Sequence, residues 1–290
     1  MDTKFTNSRE SLDNARRAHT DWAGFTLAER IAAVELEGYV VIPNLLSAEQ
    51  IEKIGTELDT LTTVPRDYTT QLRGSSDGPW PECPETARVI VLPAMIEFLS
   101  ALFGDALICT SCLYDLSLPG HPGIAIHTDS QPYGSQIFGL QASSPVLARV
   151  LYYLDDLTPQ RAPFKVIPRS HLSMHRDGLP YNRYLAHEGE QMVTCTAGSA
   201  AVINQKVFHG NYPNYSNQRR RLLAIAYRPA WAGPIAEVPE RDADRIGRLP
   251  AEVQPLMGSL NTRDIDFNVP NRPDDLGTAA NGIHPDRWPR

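Results

Sequence analysis

Two side chains that commonly bind metals stand two positions apart in an apolar run of the sequence. The segment IAIHTDSQPYG, residues 124–134, contains His127 and Asp129. Residues i and i+2 of a β-strand point to the same face, so the imidazole and the carboxylate share one side, and Thr128 faces the other. An isolated pair of this kind is usually a surface feature or a satisfied core histidine. Two ligands also do not complete a metal site, so a third must come from elsewhere in the fold.

His209 offers the third ligand. It follows His127 by 82 residues, at the end of a β run and before a Gly-Asn-Tyr-Pro-Asn turn. Two neutral imidazoles and one carboxylate on one face of an octahedron are the arrangement that non-haem Fe(II) oxygenases use, and it leaves the remaining positions open. The sequence therefore predicts a metal site formed by His127, Asp129 and His209.

Arg220, eleven residues after His209, could bind a molecule that occupies those open metal positions. Alternation in the β run places Arg220 on a face with small and apolar residues, and Arg219 and Arg221 on the other face. If the first face points inward, its guanidinium could clamp a carboxylate through two hydrogen bonds. An inward arginine without a partner carries a large desolvation cost, so a dicarboxylate co-substrate would account for it. The alternative is that Arg219 or Arg221 has this role, or that all three are solvated.

Many short β runs behind a helical N-terminal part must position these side chains. This order predicts a mainly β protein with flanking helices and a double-stranded β-helix core of the jelly-roll or cupin-like type. We expect one domain over residues 1–290, with a loosely held arm over 1–24, a long loop over 62–85 and an irregular C-terminal wrap over 230–290. The predicted helices are 25–36, 47–61 (with Ser47 and Gln50 as a capping box) and 93–103, and the β runs are 38–46, 107–118, 123–129, 147–154, 163–167, 191–195, 199–204 and 219–228.

Composition limits the classes of function. The chain has 290 residues, 42% of them hydrophobic and 21% charged, which is typical of a globular protein with a core. Its net charge of −7 argues against a nucleic-acid partner. The N-terminus shows no apolar core of a secretory signal. The most apolar segment, residues 87–104, is interrupted by Pro93 and Glu97 and is predicted to be too short to span a membrane. We expect a cytoplasmic protein without a membrane partner, and the oligomeric state stays open.

The cysteines do not indicate a disulfide framework in a chain of this length. Cys109 and Cys112 form a C-x-x-C pattern inside a strand-like run. Residues three apart on a strand face opposite ways, so these two are not expected to bind one metal. All four cysteines are predicted to be reduced, structural thiols: Cys83, Cys109, Cys112 and Cys195.

Taken together, these motifs resemble the phytanoyl-CoA dioxygenase family of Fe(II)/2-oxoglutarate-dependent oxygenases. The family pattern is H-x-D, a distal His and a later Arg, which here reads His127-Thr128-Asp129, His209 and Arg220. The stretches EGYVVIPNLLSAEQIEKI, PFKVIPRSH and HGNYPN agree with it, and the resemblance covers residues 30–230.

The resemblance implies a chemistry and its participants. His127, Asp129 and His209 would hold Fe(II), and Arg220 would bind the far carboxylate of 2-oxoglutarate. O2 and 2-oxoglutarate would be converted to succinate and CO2 while an unactivated C–H of a small molecule or natural product is oxidised. Related halogenases have a small residue in place of the carboxylate, so Asp129 favours hydroxylation over halogenation. Desaturation, epoxidation and ring formation stay open.

The sequence departs from the family pattern in three places. Arg169 replaces the usual Gly of PGSH, Asn211 replaces a frequent Ser two residues after the distal His, and Thr128 replaces a frequent Gln. None of these is a predicted metal ligand. Arg169 is expected to reach substrate or solvent.

Further polar residues are candidates for the substrate mouth or are ordinary loop residues. Asn214 and Ser216 are predicted to shape the turn after His209. His171 is expected to be structural, and His121, His175 and His187 are expected on the surface or in loops. The candidates for lining the substrate site are Gln131, Tyr133, Gln136 and Arg161.

Two other classes of function stay open at this stage. One is a metal-binding jelly-roll sensor or pseudoenzyme without turnover. The other is a cupin-like metal isomerase or hydrolase, which would need no 2-oxoglutarate and should keep its activity in the variant Arg220→Ala.

Overall fold

Two β-sheets face each other, and helices cover the outer face of the larger one. The computed structural model describes residues 20–66, 72–129, 146–172, 181, 185–234 and 237–263, and the backbone of Arg16–Arg17. The strands are β1 (Arg16–Arg17), β2 (Tyr39–Ile42), β3 (Val64–Pro65), β4 (Arg73–Asp77), β5 (Leu107–Ser117), β6 (Ile124–His127), β7 (Ala148–Tyr153), β8 (Phe164–Ile167), β9 (Gln191–Val193), β10 (Ala200–Asn204), β11 (Phe208–Asn211) and β12 (Arg220–Pro229). The α-helices are α1 (Leu27–Leu36), α2 (Ala48–Leu58), α3 (Pro84–Arg88), α4 (Pro93–Phe103) and α5 (Ala243–Gly247).

The order of the strands is that of a double-stranded β-helix. The larger sheet runs β2-β10-β7-β12-β5-β4-β3, and the smaller runs β1-β9-β8-β11-β6. From β5 to β12 the chain places β5, β7, β10 and β12 in the larger sheet and β6, β8, β9 and β11 in the smaller one. Eight such strands in two facing sheets form the jelly-roll core, as predicted.

The larger sheet buries both faces. Leu223 and Ile225 of β12 join the helices in the main apolar core, whereas Leu222 and Ala224 pack in the space between the two sheets. This is the alternation predicted for the run, and it assigns Arg220 to the inner face. The space between the sheets is therefore where a polar site must be built.

Helix ends follow their sequence signals. Ser47 Oγ accepts a hydrogen bond from the backbone N–H of Gln50, and the Gln50 side chain accepts one from the Ser47 N–H, which is the predicted capping box of α2. Thr26 and Glu29 form the same arrangement at α1. These caps fix the start of each helix against the outer face of the larger sheet.

The prediction that Cys109 and Cys112 face opposite ways is wrong. Tyr227 pairs with Cys109 while Ala226 pairs with Ser111, so β5 contains a bulge with one extra residue. The bulge changes the alternation. Both thiols consequently lie in the same core, with their sulfur atoms 3.6 Å apart. All four cysteines are free thiols, as predicted.

Several segments are more regular than their composition indicates. Arg73–Asp77 forms strand β4 within the predicted loop 62–85. Helical residues run almost continuously over Pro84–Phe103, which by length and composition alone would suffice to cross a membrane. However, Met95 and Leu99 in this run are buried in the core. The absence of a membrane partner stays a prediction.

The two ends of the domain also contain structure that composition did not indicate. Trp22 lies in a short 3-10 helix and packs against Tyr39, although it belongs to the predicted arm. In the predicted C-terminal wrap, α5 and a 3-10 helix at Gln254–Met257 form, and Arg228 donates hydrogen bonds to the carbonyls of Leu260 and Thr262. These bonds attach the tail to β12.

Candidate active site

The three predicted metal ligands meet at the edge of the smaller sheet. His127 ends β6 and His209 lies within β11, where the two residues are direct cross-strand partners. Asp129 follows β6, and its backbone N–H donates to the carbonyl of Gln205. One ligand atom from each of the three side chains lies within 4.8 Å of the other two, so they could hold a metal ion.

Hydrogen bonds orient both imidazoles toward this point. His127 Nδ1 lies 2.9 Å from the carbonyl of Ala125, and His209 Nδ1 lies 3.0 Å from the carbonyl of Val207. A carbonyl only accepts, so each Nδ1 carries the proton and each Nε2 keeps its lone pair. This is the tautomer that a metal needs, with the ring fixed by a backbone partner.

The carboxylate of Asp129 lies between the two rings. Its Oδ1 is 3.8 Å from His127 Nε2, and its Oδ2 is 3.7 Å from His209 Nε2. Oδ2 is buried and accepts no hydrogen bond from the described residues. Arg149 Nε lies 2.8 Å from this oxygen and forms an ion pair with it, and the carboxylate together with the two Nε2 lone pairs is a donor set that fits a metal ion.

The electrostatics keep these ligands ready for a cation. Burial lowers the pKa of His209, which keeps the ring neutral at neutral pH. Burial opposes the ionisation of Asp129, but His209, Arg149 and His127 outweigh it, and the pKa of the carboxyl lies below its ordinary value. Near pH 7 the His209 ring is therefore neutral and the Asp129 carboxyl is ionised, as metal binding requires.

A glycine allows the two histidine strands to come together. A Cβ added at Gly210 would lie 2.4 Å from the carbonyl oxygen of Ile124, which is closer than real contacts allow. Immediately after His209 the pairing of β11 with β6 shifts register. The absence of a side chain at residue 210 thus permits the close approach that places the two rings 4.4 Å apart, centre to centre.

Arg220 is the arginine that points inward. Its side chain is 0% exposed, and Nη1 donates to Asp115 Oδ1 at 3.2 Å. Its Nε and Nη2 are buried without a hydrogen-bond acceptor among the described residues. The neighbours point elsewhere: Arg219 pairs with Asp59, and Arg221 pairs with Asp155. The structure thus favours Arg220 over both alternatives.

Residues that the sequence did not single out complete the surroundings of Arg220. Asp115 also accepts a hydrogen bond from Arg73 Nε at 2.6 Å, so two guanidinium groups share one carboxylate. Ser117, the cross-strand partner of Arg220, bonds to His121 Nδ1 at 3.0 Å. The hydroxyl of Tyr153 and the Nε2 of His121 are buried without a partner in the described part of the chain.

We expected His121 on the surface or in a loop; it lies in the loop between β5 and β6 but is fully buried. Burial, followed by the charge of Arg220, lowers the pKa of His121 to about 4. A sequence signal existed for Asp115, which alternation in β5 places on the inner face. None existed for His121, whose position depends on the turn after β5.

The other predicted residues lie as follows. Arg161 pairs with Asp155 at 3.1 Å and donates to the carbonyl of Arg219, so its guanidinium holds the start of β12. A role for Arg161 at the substrate stays a prediction. Exposed Arg169 pairs with Glu37. Three candidates for the substrate mouth lie outside the described residues: Gln131, Tyr133 and Gln136.

The turn residues behave as predicted. Asn214 Nδ2 donates to the carbonyls of Ser117 and Gln218, and Ser216 Oγ donates to Asn214 Oδ1. His171 is buried and bonds to the carbonyl of Glu35, which is a structural role. His187 is half-buried in a loop, and His175 lies outside the described residues.

A double-stranded β-helix with two histidines and a carboxylate at the edge of one sheet, and a buried arginine on the other, defines the class of protein. Residues 34–222 match the phytanoyl-CoA dioxygenase (PhyH) family. Because this match covers more than half of the chain, the protein belongs to that family. It is accordingly an iron- and 2-oxoglutarate-dependent oxygenase-type enzyme.

Known proteins similar to this chain agree with this class. L-proline trans-4-hydroxylase of Streptomyces griseoviridis is 23% identical over 224 residues, which are 66% of this chain and 82% of the relative. HygX from Streptomyces hygroscopicus, solved with nickel and 2-oxoglutarate bound, aligns with a TM-score of 0.57 at 18% identity and covers 77% of this chain and 94% of its own. SnoN, the non-heme alpha ketoglutarate dependent epimerase from nogalamycin biosynthesis, aligns with a TM-score of 0.59 at 16% identity over 75% of this chain and 93% of its own.

Proposed function

We propose that the protein hydroxylates an unactivated C–H of a small molecule or natural product, with O2 and 2-oxoglutarate converted to succinate and CO2. The observation that carries this proposal is the pairing of two incomplete sites. Asp129 Oδ2 accepts no hydrogen bond from the described residues, and two nitrogens of Arg220 lack an acceptor in the described space between the sheets. A metal ion and a dicarboxylate would satisfy both.

The metal group fits Fe(II). Two neutral imidazoles and one carboxylate leave open positions for a chelating co-substrate and for O2. Asp129 occupies the position that a chloride would need, and this favours hydroxylation over halogenation. When bound there, the iron supplies the oxidising chemistry, and His127, Asp129 and His209 hold it.

The pocket around Arg220 fits the far carboxylate of 2-oxoglutarate. Arg220 Nε and Nη2 are free donors, and the Tyr153 hydroxyl is a third. When His121 Nδ1 accepts a hydrogen bond from the Ser117 hydroxyl, His121 Nε2 carries the ring proton and is a fourth donor. Arg220 and Arg73 share the single carboxylate of Asp115, so a second carboxylate beside Arg220 is electrostatically favourable.

The chain itself positions the co-substrate and excludes water. The next inner-face side chains of β12, Leu222 and Ala224, are buried and apolar, so this strand offers no competing polar side chain beyond Arg220. A carboxylate held at Arg220 directs the rest of the molecule toward the metal group on the other sheet. Such preorganised binding is where the protein contributes to the rate.

Relatives support a small-molecule substrate. The Streptomyces griseoviridis relative is named for trans-4-hydroxylation of L-proline. A metal isomerase or hydrolase that needs no 2-oxoglutarate would leave two nitrogens of Arg220 without the dicarboxylate that would satisfy them in the described part of the chain. A sensor without turnover would form the same complex with metal and 2-oxoglutarate, but it would release no succinate.

An anaerobic titration tests the proposal. Fe(II) and then 2-oxoglutarate are added to the metal-free protein, and the visible metal-to-ligand charge-transfer band is followed in wild type, Asp129→Ala, Arg220→Ala and Arg219→Ala. We expect the band in wild type and in Arg219→Ala, which is the matched control because Arg219 pairs with Asp59 on the outer side. Asp129→Ala and Arg220→Ala should weaken it. Tight metal binding without a band would refute the proposed function, and a band without any succinate from a broad substrate screen would favour a sensor.

A further inference from the structure

The carboxylate of the metal group is attached to the opposite sheet from the two histidines. His127 and His209 are cross-strand partners in the smaller sheet. Asp129 lies beyond the end of β6, and its backbone N–H donates to the carbonyl of Gln205, the residue that follows β10 of the larger sheet. The position of Asp129 relative to the two imidazoles therefore depends on contacts with the larger sheet.

Arg149 provides the contact between the larger sheet and the Asp129 side chain. It lies in β7, which pairs with β10, and alternation with Leu151 of the core between the sheets places Arg149 on the inner face. Its Nε lies 2.8 Å from Asp129 Oδ2, and 24% of the Arg149 side chain is exposed. This ion pair links the larger sheet directly to one of the three predicted metal ligands.

The ion pair makes the two oxygens of Asp129 unequal. Oδ2 is buried beside the Arg149 guanidinium, whereas Oδ1 lies 3.8 Å from His127 Nε2. The Nε–H of Arg149 is not aligned with Oδ2, so the contact acts through charge rather than through a hydrogen bond. Like charges repel strongly at a buried site, and a metal ion is therefore disfavoured at the oxygen that Arg149 contacts. Oδ1 is the oxygen left for the metal.

We propose that Arg149 is a positioning residue, which holds Oδ2 of Asp129 so that this carboxylate binds the metal through Oδ1 alone. The inference rests on the proposed function, because it concerns the metal that His127, Asp129 and His209 would hold. A carboxylate binds a metal through one oxygen or through both. One oxygen of Asp129 leaves open positions for a chelating co-substrate and for O2, whereas a second oxygen would fill one of them.

Crystal structures of the Ni(II)-loaded protein test this role directly. They are determined for wild type, Arg149→Gln and Arg149→Lys, and the distances from Ni(II) to the two Asp129 oxygens are compared. Calorimetry gives the Kd of Ni(II) and then the Kd of 2-oxoglutarate for the Ni(II)-loaded protein. The surface control is Arg169→Gln, because exposed Arg169 pairs with Glu37. The charge-transfer band of wild type with Fe(II) and 2-oxoglutarate is recorded separately and checks the proposed function.

We expect Ni(II) to contact Oδ1 alone in wild type and both Asp129 oxygens in Arg149→Gln. Because the second oxygen compensates for the lost restraint, Arg149→Gln should bind Ni(II) about as tightly as wild type. Its Kd for 2-oxoglutarate should rise roughly tenfold or more, the size of effect that partners of metal ligands produce. Arg149→Lys should restore part of this affinity, since the contact acts through charge, and Arg169→Gln should behave as wild type.

Three results would overturn the inference while leaving the proposed function intact. One is contact of Ni(II) with both Asp129 oxygens in wild type, a measurement that needs no variant and so does not depend on how well Arg149→Gln folds. Another is a single-oxygen contact in Arg149→Gln with weakened 2-oxoglutarate binding, because Arg149 would then act on the co-substrate itself. The third is that Arg149→Gln loses Ni(II) affinity and keeps its affinity for 2-oxoglutarate, because Arg149 would then only stabilise the metal ligand.

Discussion

Replacing Asp115 by Asn tests how the carboxylate between Arg73 and Arg220 contributes to the site. The Asp115 side chain is 2% exposed, and its two oxygens lie 2.6 Å from Arg73 Nε and 3.2 Å from Arg220 Nη1. Asn keeps the size of the side chain but removes the negative charge. Arg73 and Arg220 then contact a neutral amide instead of a shared carboxylate.

The expected loss of stability follows from burial. Removing one partner of a buried ion pair costs about 3–5 kcal/mol, because the remaining charge stays desolvated. For a domain of this size each kcal/mol lowers Tm by roughly 2–4 °C. We therefore expect the metal-free Asp115→Asn protein to melt roughly 10 °C below wild type. The matched control is Asp77→Asn, because Asp77 forms an exposed pair with Arg66 and its loss should change Tm by about 1 °C or less.

The effect of 2-oxoglutarate separates a binding pocket from a purely structural pair. Asp115→Asn raises the net charge around Arg220 by one, so a bound dicarboxylate supplies the missing counter-charge. Thermal denaturation with Ni(II) and increasing 2-oxoglutarate should therefore show a larger stabilisation of Asp115→Asn than of wild type. A tenfold tighter Kd would add about 1.4 kcal/mol to the ligand-induced stabilisation. Equal or smaller stabilisation of the variant would refute the reasoning, as would an unchanged Tm without ligand.

Three further results are expected. His121 has a folded-state pKa of about 4, below its ordinary value. The stability that is present above about pH 6.5 should therefore fall by up to about 1.4 kcal/mol per pH unit between pH 6.5 and pH 4. Urea unfolding should show a flatter pH profile in His121→Asn, and an unchanged profile would contradict this assignment. Gly210→Ala should weaken Ni(II) binding in calorimetry without removing a ligand, because the new Cβ forces β11 away from β6. The control Gly247→Ala, where a Cβ meets nothing within 4 Å, should bind Ni(II) as wild type does. A chromogenic thiol reagent at pH 8 should leave Cys83, Cys112 and the partly buried Cys195 unmodified in native protein and modify all three in denaturant, since burial contributes to their raised thiol pKa values. Rapid labelling of the native protein would show that the core opens.

Local patterns were sufficient to predict part of the candidate metal group and which of the three arginines points inward. Alternation along a strand is a short-range property, so the shared face of His127 and Asp129 and the inward direction of Arg220 could be derived from a few consecutive residues. The jelly-roll class could be predicted for a similar reason, because short β runs and turn residues recur along the chain. His209 was predicted from its residue type and its place before a turn, because no local pattern links it to His127, 82 positions earlier.

The surroundings of the site depended on the tertiary structure. Arg149 and Asp129 meet because the two sheets face each other, and Asp115 joins Arg73 to Arg220 through pairing of β4, β5 and β12. Each of these residues, taken alone in the sequence, is an ordinary charged residue.

Cys109 and Cys112 show most directly why the sequence alone could not predict these surroundings. A bulge depends on how two strands pair, so the extra residue cannot be predicted from the sequence of one strand alone. The sequence by itself therefore determined which residues share a strand face and what chemistry they can perform. Only the tertiary structure decided which faces meet, where the alternation breaks at Cys109, and which buried charges, such as Arg220, keep nitrogens without an acceptor among the described residues.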